Sequence, residues 1–189
     1  MTSKIHLGVL AVFLASGTAA QAQDASAWAG PYVGLQAGIG NGSQDYGGGT
    51  TYDIEGNGYG VFGGYMMATG AWAYGVELSY AKTDYSEVDG TDEFPDYNFN
   101  HTFDVKMRGG YAVNQALIYG VLGYGWSEWE EGDPTDTYDV DGLLVGLGAD
   151  MIVSDSVFLG AEILQRGMDG DYPFEADVTT FGLRLGMTF

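Results

Sequence analysis

The 189-residue sequence contains no cysteine. If the chain is exported, its fold must hold without disulfides. Bases are scarce: 6 Lys and Arg stand against 26 Asp and Glu, a formal net charge of −20. That balance excludes nucleic acid as a partner, because nucleic-acid affinity comes mainly from cations set against phosphates. No run after the first fifteen residues approaches the ~20 consecutive apolar residues of a spanning helix. If the chain crosses a membrane, it must therefore do so as a closed barrel. Histidine occurs only at His6 and His101. There is no H-E-x-x-H, no cysteine cluster and no glycine-rich phosphate loop leading into a helix. The expected catalytic, cofactor-binding and metal residues are accordingly none.

What is present begins with an export signal. Lys4 and His6 stand at the head of an apolar run, Ile5–Ala15, and Ala20-Gln21-Ala22 is a small-x-small cleavage site. This reads as a secretory signal peptide over residues 1–22 and a mature domain over 23–189. Without Lys4, the mature chain sets 26 acids against 5 bases. Its 32 glycines follow no collagen period, and 14 Tyr, 9 Phe and 4 Trp interleave with them. Glycine next to large rings suits a tightly curved barrel wall.

The pattern of the mature chain is alternation. In the terminal stretch Asp177–Phe189, Phe181, Leu183, Leu185, Met187 and Phe189 share one face, and Thr180, Gly182, Arg184, Gly186 and Thr188 the other. Period two is a strand, and a strand at the extreme terminus needs a partner on each edge. The same period predicts strands at Pro31–Gly40, Glu55–Met67, Trp72–Thr83, Phe99–Val113, Ala116–Glu128, Asp139–Val153 and Val157–Met168. The fifth is ambiguous, because both faces of Leu117–Trp126 are apolar or glycine. Connections alternate long and short, the short ones being Ala68–Ala71, Asn114–Gln115 and Ser154–Ser156. Long outer loops, short inner turns and an even strand count are the pattern of bacterial outer-membrane barrels. Trp72, Tyr111 and Phe189 would form one aromatic girdle, and Tyr59, Tyr80 and Phe103 the other.

Five stretches carry a family resemblance: W-A-G-P-Y-V-G-L-Q-A-G-I-G (Trp28–Gly40), V-F-G-G-Y-M (Val61–Met66), V-K-M-R-G-G-Y-A-V (Val105–Val113), L-I-Y-G-V-L-G-Y-G-W (Leu117–Trp126) and the closing F-G-L-R-L-G-M-T-F. Their order and spacing resemble the small eight-stranded outer-membrane barrels, the OmpA-type transmembrane domain and the opacity-like "porin family". The resemblance implies an all-β, antiparallel, up-and-down transmembrane barrel in the outer membrane of a Gram-negative bacterium. It implies contact with outer-membrane lipid and lipopolysaccharide, and handling by periplasmic chaperones and the barrel-assembly machinery; the acidic loops add weak bridging to lipopolysaccharide phosphates through divalent cations as a further reading. No peptidoglycan-binding segment follows the barrel, so no wall-anchoring role is expected. Oligomeric state stays open.

Two charge patterns matter for function. The loops Asp84–Asn98 and Trp129–Tyr138 are rich in carboxylates, but the spacing is not that of an EF-hand, and solvated loops account for it. The bases, apart from Lys82, fall on inward faces: Lys106, Arg108, Arg166 and Arg184, with the acids Glu77, Asp104, Asp150 and Glu162. Buried charge is costly unless paired, so these eight are expected to form lumen ion pairs, Glu77 with Arg108 or, if shear moves the register, with Lys106, and Glu162 with Arg184. The leading reading is a non-enzymatic outer-membrane barrel with a structural or surface-interaction role. The alternative is a small porin-like channel for ions or solutes, though an eight-stranded barrel has room only for its own side chains. A lipid A-modifying enzyme is the third reading; His101 sits in H-T-F with no serine two residues on. A soluble lipocalin-like barrel is the fold alternative, and its exterior should be polar.

Overall fold

Alternation and pairing produce eight strands, and in the computed structural model they close on themselves. The structure describes residues 24–45, 51–87, 97–131, 137–170 and 175–189. The expected signal at Met1–Ala22 and the middle of each long connection lie outside the described residues. A short 3-10 turn, Ala25–Trp28, precedes β1 (Gly30–Asp45), β2 (Thr51–Thr69), β3 (Trp72–Glu87), β4 (Tyr97–Val113), β5 (Ala116–Glu131), β6 (Thr137–Ser154), β7 (Val157–Gly170) and β8 (Glu175–Thr188). Every neighbour pair is antiparallel. β8 closes on β1 from Tyr32↔Thr188 to Asp45↔Glu175.

The strands run further than the alternation predicts. β1 extends to Asp45 instead of Gly40, β3 to Glu87 instead of Thr83, and β8 begins at Glu175 instead of Asp177. The long connections shrink correspondingly, so parts of the expected Asp84–Asn98 and Trp129–Tyr138 loops are strand. The reason is physical: an apolar outer row is needed only where the wall meets lipid, whereas the backbone ladder continues through polar residues beyond it. The turns at the opposite end are tight. Gly70 and Asn114 adopt positive φ, 58° and 56°, which glycine and asparagine accept in two-residue hairpin turns.

Polarity is inverted relative to a soluble barrel. Leu35, Leu147 and Leu183 are 59–61% exposed, while Glu77 and Lys106 are 0% exposed. Such an exterior suits lipid, and the soluble lipocalin-like alternative falls. β5 is resolved: Ile118, Leu122 and Trp126 face outward, and Leu117, Tyr119 and Val121 face inward. Tyr119 lies inside because its neighbours make room. A Cβ at Gly148 or Gly110 would collide with Tyr119. Phe62 over Gly34 and Phe158 over Gly186 repeat the device, which explains the glycine-aromatic composition.

Candidate functional site

The lumen is filled in three layers. Nearest the short turns lies an apolar layer that includes Trp28, Tyr32, Phe62, Met66, Leu117, Tyr119 and Phe158. Trp28 arrives from outside the strands. The 3-10 turn is tied across the mouth by Ala25 N–H donating to the Gly70 carbonyl (2.8 Å), and the Trp28 ring meets Phe158 edge-on at 5.7 Å. Toward the long connections a second apolar layer contains Ile54, Tyr85, Val140, Met168, Ala176 and Val178. Charged residues occupy the space between.

All eight charged residues nominated from the sequence point into this lumen and are buried. Six converge in one network. Glu77 is the hub, with Lys106 Nζ at 2.6 Å, Arg108 at 3.0 Å and Arg184 at 2.5 Å. Glu162 accepts from Lys106 and Arg184, each at 3.1 Å. Asp150 takes Arg108 at 2.5 Å and lies 3.7 Å from Arg184. The pairs Glu77–Arg108 and Glu162–Arg184 are thus in contact, but as parts of a network that also reaches across the lumen. Asp104 and Arg166 form a separate pair at 2.7 Å. The four acids Glu77, Asp104, Asp150 and Glu162 balance the four bases, so the lumen carries no net formal charge.

Sequence reasoning did not find the neutral groups that complete this network. The Tyr32 hydroxyl donates to Glu77 (2.9 Å) and the Tyr119 hydroxyl to Asp150 (3.2 Å). Ser79 donates to Asp104 (3.0 Å), and Arg166 to the Thr180 hydroxyl (3.0 Å). Two guanidiniums lie on aromatic faces, Arg108 on Tyr119 at 3.8 Å and Arg184 on Phe62 at 3.9 Å. The signal was present as inward-facing Tyr32, but its reach to β3 requires the circumference to be known. A cavity of about 50 Å³, lined in part by Gln36, Thr83, Thr102, Thr180 and Arg166, lies beside the network. That is space for a few waters.

The Ser127 hydroxyl donates to the backbone carbonyl of His101 (2.8 Å), not to its ring. Ser127 is buried and His101 lies on the outward side of the wall, so the two side chains are on opposite faces. Among the described residues no group of three or more carboxylate or imidazole side chains converges as a metal site. Much of the carboxylate-rich sequence, including Asp89, Asp92, Glu93, Asp96, Asp133 and Asp136, lies outside the described residues. At the wall's two rims, Trp72 packs edge-on against Tyr111 (5.1 Å), and Phe103 lies 5.9 Å from Trp126.

Comparison with known proteins places this architecture. The model of the outer membrane protein beta-barrel domain matches residues 9–189. No curated protein sequence matches the chain. Among solved structures, Neisserial surface protein A (NspA) is similar at 15% identity and TM-score 0.55, covering 85% of this chain and 98% of its own. OprG from Pseudomonas aeruginosa is similar at 17% identity and TM-score 0.53, with 85% and 96% covered. Ail, the attachment invasion locus protein of Yersinia pestis, crystallised with the heparin analogue sucrose octasulfate, is similar at 16% identity and TM-score 0.52, with 83% and 99% covered. At these identities the likeness is one of fold.

Proposed function

Since the chain belongs to the outer-membrane β-barrel family and resides in the Gram-negative outer membrane, we propose that it is a closed, non-conducting and non-enzymatic barrel whose work is done on its outer surface. The observation that carries this reading is the filled lumen: a neutral ion network held between two apolar layers, with Trp28 drawn across the mouth at the short-turn end. A solute crossing the barrel would have to displace desolvated, mutually paired charges, each of which is expensive to uncover. The separation of the Ser127 hydroxyl from the His101 ring favours a non-enzymatic role, since nucleophile and base must lie within hydrogen-bond reach.

The surface role is constrained by charge. The sequence holds 22 acids besides the four lumenal ones, against Lys82 as the only Lys or Arg besides Lys4 and the four lumenal bases. A polyanion such as the heparin analogue crystallised with Ail would meet a single Lys or Arg outside the lumen among the described residues, so a partner carrying cations, or one bridged by divalent ions, fits better. Planar-bilayer recording tests the sealed lumen. Wild type is expected to give no stable, uniform channel, and Arg184→Met to raise conductance by opening the network. Uniform wild-type channels would overturn the reading in favour of a small pore.

A further inference from the structure

Outside the lumen, a lysine and a histidine stand side by side. Lys82 on β3 and His101 on β4 are direct partners in register. Among the described residues they are the only Lys, Arg or His that are not buried in the lumen. Both lie on the outward side of the wall, in phase with the lipid-facing Tyr80 and Phe103. Tyr59 of β2 is Lys82's partner on the other side, so a tyrosine, a lysine and a histidine stand in one row across three strands. The Tyr80 ring lies 5.7 Å from the His101 ring and supports it from below.

The backbone is irregular at the same level. Among the described residues the ladders shift register at three points, and two of them adjoin this row: Lys82/Tyr85 between β3 and β4, and Phe99/His101 between β4 and β5. The third, Ile152/Ser154, adjoins a short turn. Bulges bend a strand and re-aim the side chains beside them. Here they fall where Lys82 and His101 sit.

Depth identifies the ligand class. Tyr80, Phe103 and Trp126 mark the outer interface by their rings. Lys82 is two residues past Tyr80, roughly 7 Å further along the strand, which is headgroup level in the outer leaflet. We propose that Lys82 and His101, with the Tyr59 hydroxyl beside them, form a binding site for the phosphate of an outer-leaflet lipid headgroup. Lysine supplies the charge, and imidazole and phenol supply directed donors. The exposed Asp84 beyond Lys82, and Glu128 opposite His101 in register, bound the site on two sides. It therefore admits one phosphate and rejects a chain of them. This inference goes beyond the sealed-barrel reading and does not depend on whether the barrel conducts.

The test uses the full mature chain, folded in zwitterionic detergent, with phosphatidic acid as probe and phosphatidylcholine as control, each adduct counted by native mass spectrometry. One surface cation should favour the anionic headgroup by roughly fivefold. Wild type is expected to bind one phosphatidic acid with at least that preference, Lys82→Arg to keep it, and Lys82→Gln with His101→Gln to reduce it to the phosphatidylcholine level. Heat-modifiable gel mobility checks that each variant is folded. Absence of preference in wild type, or its survival in the folded double variant, overturns the site. Displacement of the lipid by equimolar inorganic phosphate overturns the lipid assignment, because the groups would then be reading free phosphate.

Discussion

Replacing Glu77 with glutamine removes the charge at the hub and keeps its shape. Three cations lie at 2.6, 3.0 and 2.5 Å from its carboxylate. At an effective dielectric of about 20, each contact carries a gross attraction of about 6 kcal/mol. Most of that is offset by the desolvation of the groups involved, and breaking a buried pair has a net effect of ~3–5 kcal/mol. Glu77→Gln should lie at the upper end, since it leaves the lumen at +1 with Lys106, Arg108 and Arg184 facing one another. Glu162→Gln should lie at the lower end, because its two partners, Lys106 and Arg184, both keep Glu77. The sharper test is Glu77→Gln with Lys106→Met. The lumen then holds three pairs with direct contacts, Arg108–Asp150, Arg184–Glu162 and Arg166–Asp104, and is neutral again. The double variant should be more stable than Glu77→Gln alone. Urea titration in phospholipid vesicles, read by heat-modifiable gel mobility, measures all four corners of the cycle. Additive losses would refute the network, because residues that share a charge balance must couple.

Leu185→Arg places a cation on the lipid-facing side of β8 and should destabilise the barrel by ~2–4 kcal/mol near the midplane, read as a lower urea midpoint in vesicles. Gly148→Ala drives a Cβ into the Tyr119 ring and should destabilise by about 1–3 kcal/mol through overpacking. Gly182→Ala is its control: the nearest atoms to that Cβ, the Ala37 and Glu162 carbonyls, are 3.9 Å away, so the same titration should move little. Trp28→Ala empties the layer behind Phe158 and should cost about 3 kcal/mol while leaving a folded barrel with normal heat-modifiable mobility.

The strand count, the faces and the position of the short turns were legible because each is a parity property. A residue's side of the wall follows from counting by twos, and lipid enforces the count on one face. Legibility ended where that enforcement ends. The strand extensions Asn41–Asp45 and Asp84–Glu87 continue their ladders with β2, but no lipid selects their outer residues. β5 defeated parity because its inward residues are apolar too. Its orientation follows from Gly110 and Gly148 on the neighbouring strands, whose missing side chains admit Tyr119. The inward charges were legible for the same parity reason. Their partners across the lumen were not, because Glu77 and Arg184 are 107 residues apart and meet only once the circumference is closed. Trp28 lay outside any strand pattern, and nothing in its local sequence announces that it turns back across the mouth.

The separation of charge has its own consequence. Four of the five Lys and Arg among the described residues are locked with four acids in the lumen, so the net negative charge of the sequence rests on the remaining residues. Salt should therefore act on the two populations differently. The screening length falls from about 30 Å at 0.01 M to about 8 Å at 0.15 M ionic strength, which weakens repulsion among the exterior acids. It barely reaches Glu77 and Lys106, both fully buried. Raising monovalent salt over that range should stabilise the barrel, whereas a fold held by surface ion pairs would be weakened. The destabilisation caused by Glu77→Gln should be the same at both salt concentrations, since its origin is out of solvent. Urea midpoints for wild type and Glu77→Gln at the two ionic strengths decide the matter. A penalty that shrinks with salt would mean that water and ions enter the lumen, and the sealed barrel would then have to be given up.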